Sequence, residues 1–113
     1  MYGFSRLYRL VSKHDFQSVF ATSKKASHQY LLALYQPNQK PHARIGIIIA
    51  KRHVKLAVHR NHLRRIIRES FRHEKEALKG LDIIVLMRSK WSPLDNTALQ
   101  DDIKRLWQKC VPF

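Results

Sequence analysis

The stretch Lys55 to Arg72, KLAVHRNHLRRIIRESFR, constrains the fold more than any other part of this sequence. Wound at about 100° per residue, it gathers Leu56, Leu63, Ile66, Ile67 and Phe71 within an arc of roughly 140°. Arg64, Lys75, Arg68, Asn61, Arg72 and Arg65 fall in that order across a further arc of roughly 100°. Such a helix needs an apolar surface under one side and leaves the other side basic. The spacing predicts that it runs from about Ala57 to Lys79, with Gly80 as its stop and Lys75 and Lys79 at the negative end of its dipole.

The rest of the chain supplies that surface. Residues 28–36, HQYLLALYQ, and 43–51, ARIGIIIAK, read as strands separated by a turn at Pro37, Asn38 and Pro41, and the two are placed to pair as a hairpin. Asp82 to Arg88, DIIVLMR, is a third strand whose unbroken apolar run requires a central or well-covered position. Ser12 and Asp15 have capping-box spacing, and a short helix from Lys13 to Ala21 puts Phe16, Val19 and Phe20 on one face. From Asp95 onward, Leu99, Ile103, Leu106, Trp107 and Cys110 recur at helical spacing. The first ten residues read as an arm over the body, and Thr22 to Ser27 as a polar loop. The expected architecture is a single α+β domain over residues 1–113, a two-layer sandwich of order α-β-β-α-β-α, with helices on one face of a small sheet and the other face partly open.

Charge narrows the partner. Lys and Arg number 22 against 8 Asp and Glu, for a net charge of +14. A compact body with that field is best matched to a polyanion, whose condensed counterions are released on contact. The sequence lacks an apolar run of about 18 residues and an apolar signal region, so a cytoplasmic protein without a membrane partner is expected. The single cysteine, Cys110, sits at an apolar helical position and is expected to be reduced and buried.

No catalytic constellation is evident. Glu69, flanked by Arg65, Arg68 and Arg72, reads as an intrahelical ion-pair partner, and Asp101 and Asp102 as a solvated helix face. His59 and His62 stand three apart, but the arginines around them oppose a dication and nothing nearby completes a metal site. The arginines are harder to dismiss as a solvated face. Lys51, Arg52, Lys55, Arg60, Arg64, Arg65, Arg68 and Arg72 are opposed in their segment only by Glu69. Guanidinium forks grip phosphate bidentately, and Asn61 can donate to phosphate or ribose. With no short helix preceding it in a helix-turn-helix arrangement, this helix suits structured RNA better than DNA. A ribosomal or other structural RNA-binding protein satisfies the composition equally well, whereas an independent metal nuclease lacks its carboxylate cluster.

AVHRNHLRRIIRESFR resembles the signature of the protein subunit of bacterial ribonuclease P, an R-N-x-x-(R/K)-R-x-x-R run on a helix. IGIIIAKRHVK, RLVSKHDFQSVF, LDIIVLMR and LDNTAL resemble the flanking segments, so the likeness covers nearly the whole chain. The resemblance implies a left-handed β-α-β crossover and a noncatalytic role. On that resemblance the active site and its Mg2+ are expected on a large RNA, which one protein subunit would assist in removing the 5′ leader of precursor tRNA. It implies contacts to the catalytic RNA from Lys51, Arg52, Lys55, Arg60, Asn61, Arg64, Arg65 and Arg68, and to the leader from Phe16, Phe20 and Tyr30. This sequence departs from the pattern at Ala33, where an aromatic is common, and at Ala50, where a small polar residue is frequent.

Overall fold

A computed structural model describes residues 13–110, with the side chains of residues 13–15 and 22 left aside; the expected N-terminal arm and the Ser12–Asp15 capping box lie outside what is described. The elements are α1 (Lys13–Thr22), β1 (Lys24–Ser27), β2 (Leu31–Pro37), β3 (Arg44–Ile48), α2 (Ala57–Glu74), β4 (Leu81–Met87) and α3 (Asn96–Cys110). A 3-10 turn at Pro93–Asp95 leads into α3, closed by a capping box between Ser92 and Asp95.

The strands form one sheet in the order β1-β2-β4-β3. β4 is central, antiparallel to β2 and parallel to β3, with Ala33 opposite Val85 and Gly46 beside Ile84. Its unbroken apolar run follows from coverage on both faces: Ile83, Val85 and Met87 enter the large core, while Ile84 enters a smaller cluster with Val19 and Leu34. Two expectations are corrected here. The segments 28–36 and 43–51 do not pair as a hairpin, because β4 lies between them and the α2 crossover joins the parallel pair β3 and β4. Residues 24–27, expected as a loop, are a short edge strand paired with β2; the inward Ala26 is its one buried residue, too little alternation to reveal it.

The helices also divide differently from expectation. α2 and α3 cover one face through Leu63, Ile67, Phe71, Leu99, Ile103 and Leu106, all at most 1% exposed. α1 covers the other face through Val19 and Phe16. α2 ends at Glu74 and the chain continues through turns to Gly80, whose φ of 86° is a left-handed conformation natural only to glycine. Leu56, expected on the buried arc, precedes the helix in extended backbone and is 56% exposed.

Phe16 rests directly on the sheet at Gly46. A Cβ at that glycine would sit 2.5 Å from Cζ of the ring. Gly46→Val should therefore destabilise the protein by about 1–3 kcal/mol through overpacking. In a Phe16→Ala background the same change should cost clearly less, a coupling that denaturant unfolding of the two singles and the double would measure. Additive effects would show that the ring does not bear on Gly46.

Candidate nucleic-acid interface

The basic flank of α2 is fixed by what its opposite side buries. Leu63, Ile67 and Phe71 are fully sealed, and Phe71 meets Trp107 of α3 edge to face at 6.1 Å. The Trp107 indole N–H donates to Ser70 Oγ at 2.8 Å, a bond that sets the rotation of α2 against α3. Asn61, Arg65 and Arg72 are consequently exposed, and Arg64 and Arg68 partly so. Arg64 Nη1 donates to Asn61 Oδ1 at 3.2 Å, joining the asparagine to the arginine row.

Within that row the charges are not equivalent. Arg72 forms a 2.7 Å ion pair with Glu69, and its hydrogen bonds hold the Glu69 carboxyl below the usual carboxylate range. Glu69 is thus the ion-pair partner the sequence suggested, and it takes up the charge of Arg72 at one edge of the arc that also carries Arg64, Arg65 and Arg68. Arg60 does something the sequence did not disclose. Its Nη1 donates to the carbonyls of Val54 at 3.0 Å and Lys55 at 2.8 Å, bracing the turn that precedes the helix. The same turn is closed by His53 and Val54 N–H groups donating to Ala50 O. Lys51, Arg52 and Lys55 project from it into solvent. Two adjoining basic surfaces result, one on a helix and one on a braced turn.

The three aromatic candidates are divided by the sheet. Phe16 is partly buried on the α1 face and Phe20 is 49% exposed. Tyr30, by contrast, belongs to the core under α2 and α3 and is 7% exposed. Its phenol is pushed up by burial and by the neighbouring Asp95 carboxylate. Its backbone N–H donates to Asp102 Oδ2 at 2.6 Å. Asp102 is therefore 6% exposed and structural, a correction to its expected place on a solvated face. Ala33 likewise faces the large core, fully buried, so its departure from the aromatic pattern does not alter the α1 face. Cys110, the last residue of α3, is sealed in the large core, and burial pushes its thiol up to about 12. Among the described residues no helix is long and apolar enough to cross a membrane.

A four-stranded α+β sandwich that fixes a row of arginines on one helix and braces a basic turn beside it defines a class of protein built to meet a polyanion. A family model described as Ribonuclease P matches residues 4–111. The ribonuclease P protein component of Pseudomonas paraeruginosa is 41% identical over 109 residues, covering 96% of this chain and 81% of that protein. The Pseudomonas aeruginosa protein of the same name gives the same figures. Among solved structures, the Staphylococcus aureus RNase P protein superposes with a TM-score of 0.80 at 26% identity, covering 94% of this chain and 97% of that one. The Thermotoga maritima RNase P protein gives 0.77 at 30% identity, over 89% and 96% of the two chains. This chain belongs to the ribonuclease P protein family.

Proposed function

We propose that this chain is the noncatalytic protein subunit of a ribonuclease P ribonucleoprotein, one copy to each catalytic RNA, acting in removal of the 5′ leader from precursor tRNA. The observation that carries this reading is the row Arg64, Arg65 and Arg68, which core packing turns outward beside Asn61. In this reading that row and the turn residues Lys51, Arg52 and Lys55 bind the catalytic RNA. Arg60, although it belongs to the same motif, acts by holding the turn in position. The leader lies across the α1 face, where Phe20 presents an exposed ring and Phe16 a partly exposed one. Tyr30 supports the sheet from the far side and is a positioning residue rather than a stacking one.

Cleavage itself is assigned to the RNA and its Mg2+, which activates the attacking water when bound there. The buried and paired carboxylates of this chain do not fit a metal cage. Asp82 is bonded to Arg44 and Asn38, Asp102 to the Tyr30 amide, and Glu69 to Arg72. The protein's part is electrostatic. Placed between catalytic RNA and precursor tRNA, it screens the repulsion of two polyanions and so strengthens substrate and Mg2+ binding. Reconstitution tests this. Adding the protein to a bacterial ribonuclease P RNA at low Mg2+ should raise precursor-tRNA cleavage by at least about tenfold, the rate equivalent of roughly 1.4 kcal/mol. Unchanged cleavage, with the protein folded, would remove the assignment.

A further inference from the structure

A pocket of about 320 Å³ opens between the basic turn, the start of α2 and the loop that follows β4. Its walls include Arg52, Lys55, His59, Lys90 and Trp91. We propose that this pocket takes one unstacked nucleotide of the bound RNA, its base against the rings of Trp91 and His59 and its phosphate held by Arg52, Lys55 and Lys90. The proposal rests on the reading above only in taking RNA as the partner.

Three independent features meet there. The first is charge: the three cations come from two segments far apart in sequence, and among the described residues no carboxylate lines the pocket. The acid closest in sequence, Asp95, is turned to the Ser92 N–H and hydroxyl. The second is aromatic surface. His59 and Trp91 meet edge to face at 6.0 Å, a pair of ring surfaces beside a cationic rim, which is the combination that single-stranded nucleotides require. A bare anion would use the cations and leave the rings idle.

The third feature is an unmet hydrogen bond. Trp91 is 7% exposed, yet among the described residues its indole N–H has no acceptor, and Nδ1 of His53 beside it also has no partner. Folded proteins rarely leave such groups unpaired. Trp107, the other tryptophan, shows the usual solution in its bond to Ser70. The Trp91 backbone N–H donates to His53 O at 3.3 Å, which joins the loop to the turn. A base pressing into the pocket turns the indole outward, and a base oxygen or ring nitrogen then supplies the missing acceptor. Arg60, bracing Val54 and Lys55, fixes the turn side of the pocket.

The two indole N–H groups make the test direct, because one is an internal control. In a 15N-labelled full-length protein, adenosine 5′-monophosphate titrated through the millimolar range should progressively displace the Trp91 indole resonance and leave that of Trp107 in place. Inorganic phosphate at the same concentrations should displace neither. An unmoved Trp91 resonance, or an equal displacement by phosphate alone, overturns the proposal. With a ribonuclease P RNA, Trp91→Phe should raise Kd about three- to tenfold, as loss of one hydrogen bond implies, without changing the salt slope. Lys90→Ala should flatten that slope by about one unit. If the chain failed to bind this RNA while the nucleotide still displaced Trp91, the ribonuclease P assignment would fall and the pocket would stand.

Discussion

Asp82→Ala is expected to lower the stability of the folded chain by about 3–5 kcal/mol, although no residue of the basic turn or of α2 is changed. Asp82 is 4% exposed, at the start of the central strand. Its Oδ1 accepts from Arg44 Nε and Asn38 Nδ2, both at 2.9 Å, and its Oδ2 accepts from Arg44 Nη2 at 2.7 Å. Removing the carboxylate takes the 2.7 Å ion pair and both of its hydrogen bonds to Asp82 from the Arg44 side chain, 16% exposed, and costs Asn38 Nδ2 one of its two acceptors, leaving it the His42 carbonyl. For a domain whose total stability is of order 5–15 kcal/mol, this is a large fraction, and the melting temperature should fall by roughly 15 °C or more. The pair itself need not be favourable over apolar packing, since desolvation offsets much of the attraction. Arg44→Met combined with Asp82→Leu should therefore recover most of the loss. Thermal and denaturant unfolding of the two variants would check both statements, and an Asp82→Ala protein within about 1 kcal/mol of the parent would refute the first.

The position of that ion pair explains why part of the fold was legible in the sequence and part was not. The central role of residues 82–88 could be read directly, because only a strand covered on both faces tolerates Ile83, Ile84 and Val85 in succession. The partner of that strand could not. Arg44 stands beside Asp82 because β3 runs parallel to β4, a pairing set by the α2 crossover and not by either strand's composition. The same limit applied to α1. Its Phe16 and Val19 announced a buried face, yet which side of the sheet they would cover depends on Gly46 leaving room for a ring.

The candidate site shows a similar division. Arg64, Arg65 and Arg68 were legible as an outward row because apolar residues at helical spacing determine where the other side of the helix must face. Tyr30 was not legible, since strand residues alternate between faces and a single aromatic gives no phase; its burial with Asp102 and Asp95 is a long-range event. Arg60 belongs to the motif by spacing but bonds backward to the turn, a choice that no charge count reveals. Lys90 and Trp91 carry no local signal of a site, because the loop that holds them is brought to the basic turn only by the path of β4 beside β3.

Replacing Arg64, Arg65 and Arg68 together with Ala should produce the largest functional loss, and it should do so without unfolding the chain. None of the three is among the buried residues of α2, so Leu63, Ile67 and Phe71 keep their packing and the helix keeps its orientation. Alanine also favours the helix. What disappears is the part of the free energy that comes from releasing counterions. If each arginine meets one phosphate, the slope of log K against log salt should flatten by roughly two to three units, and at moderate salt the affinity for a ribonuclease P RNA should fall by about two orders of magnitude or more. Arg72→Ala provides the contrast within the same helix. Its charge is already shared with Glu69, so its removal should flatten the slope by well under one unit. A triple variant that stays folded with an unchanged slope would mean that the RNA meets another surface, and the arginine row would lose its assigned role. A slope that falls for the triple variant and barely moves for Arg72→Ala would tie the interface to this particular side of α2, because both sets of substitutions leave the same buried face and the same fold behind.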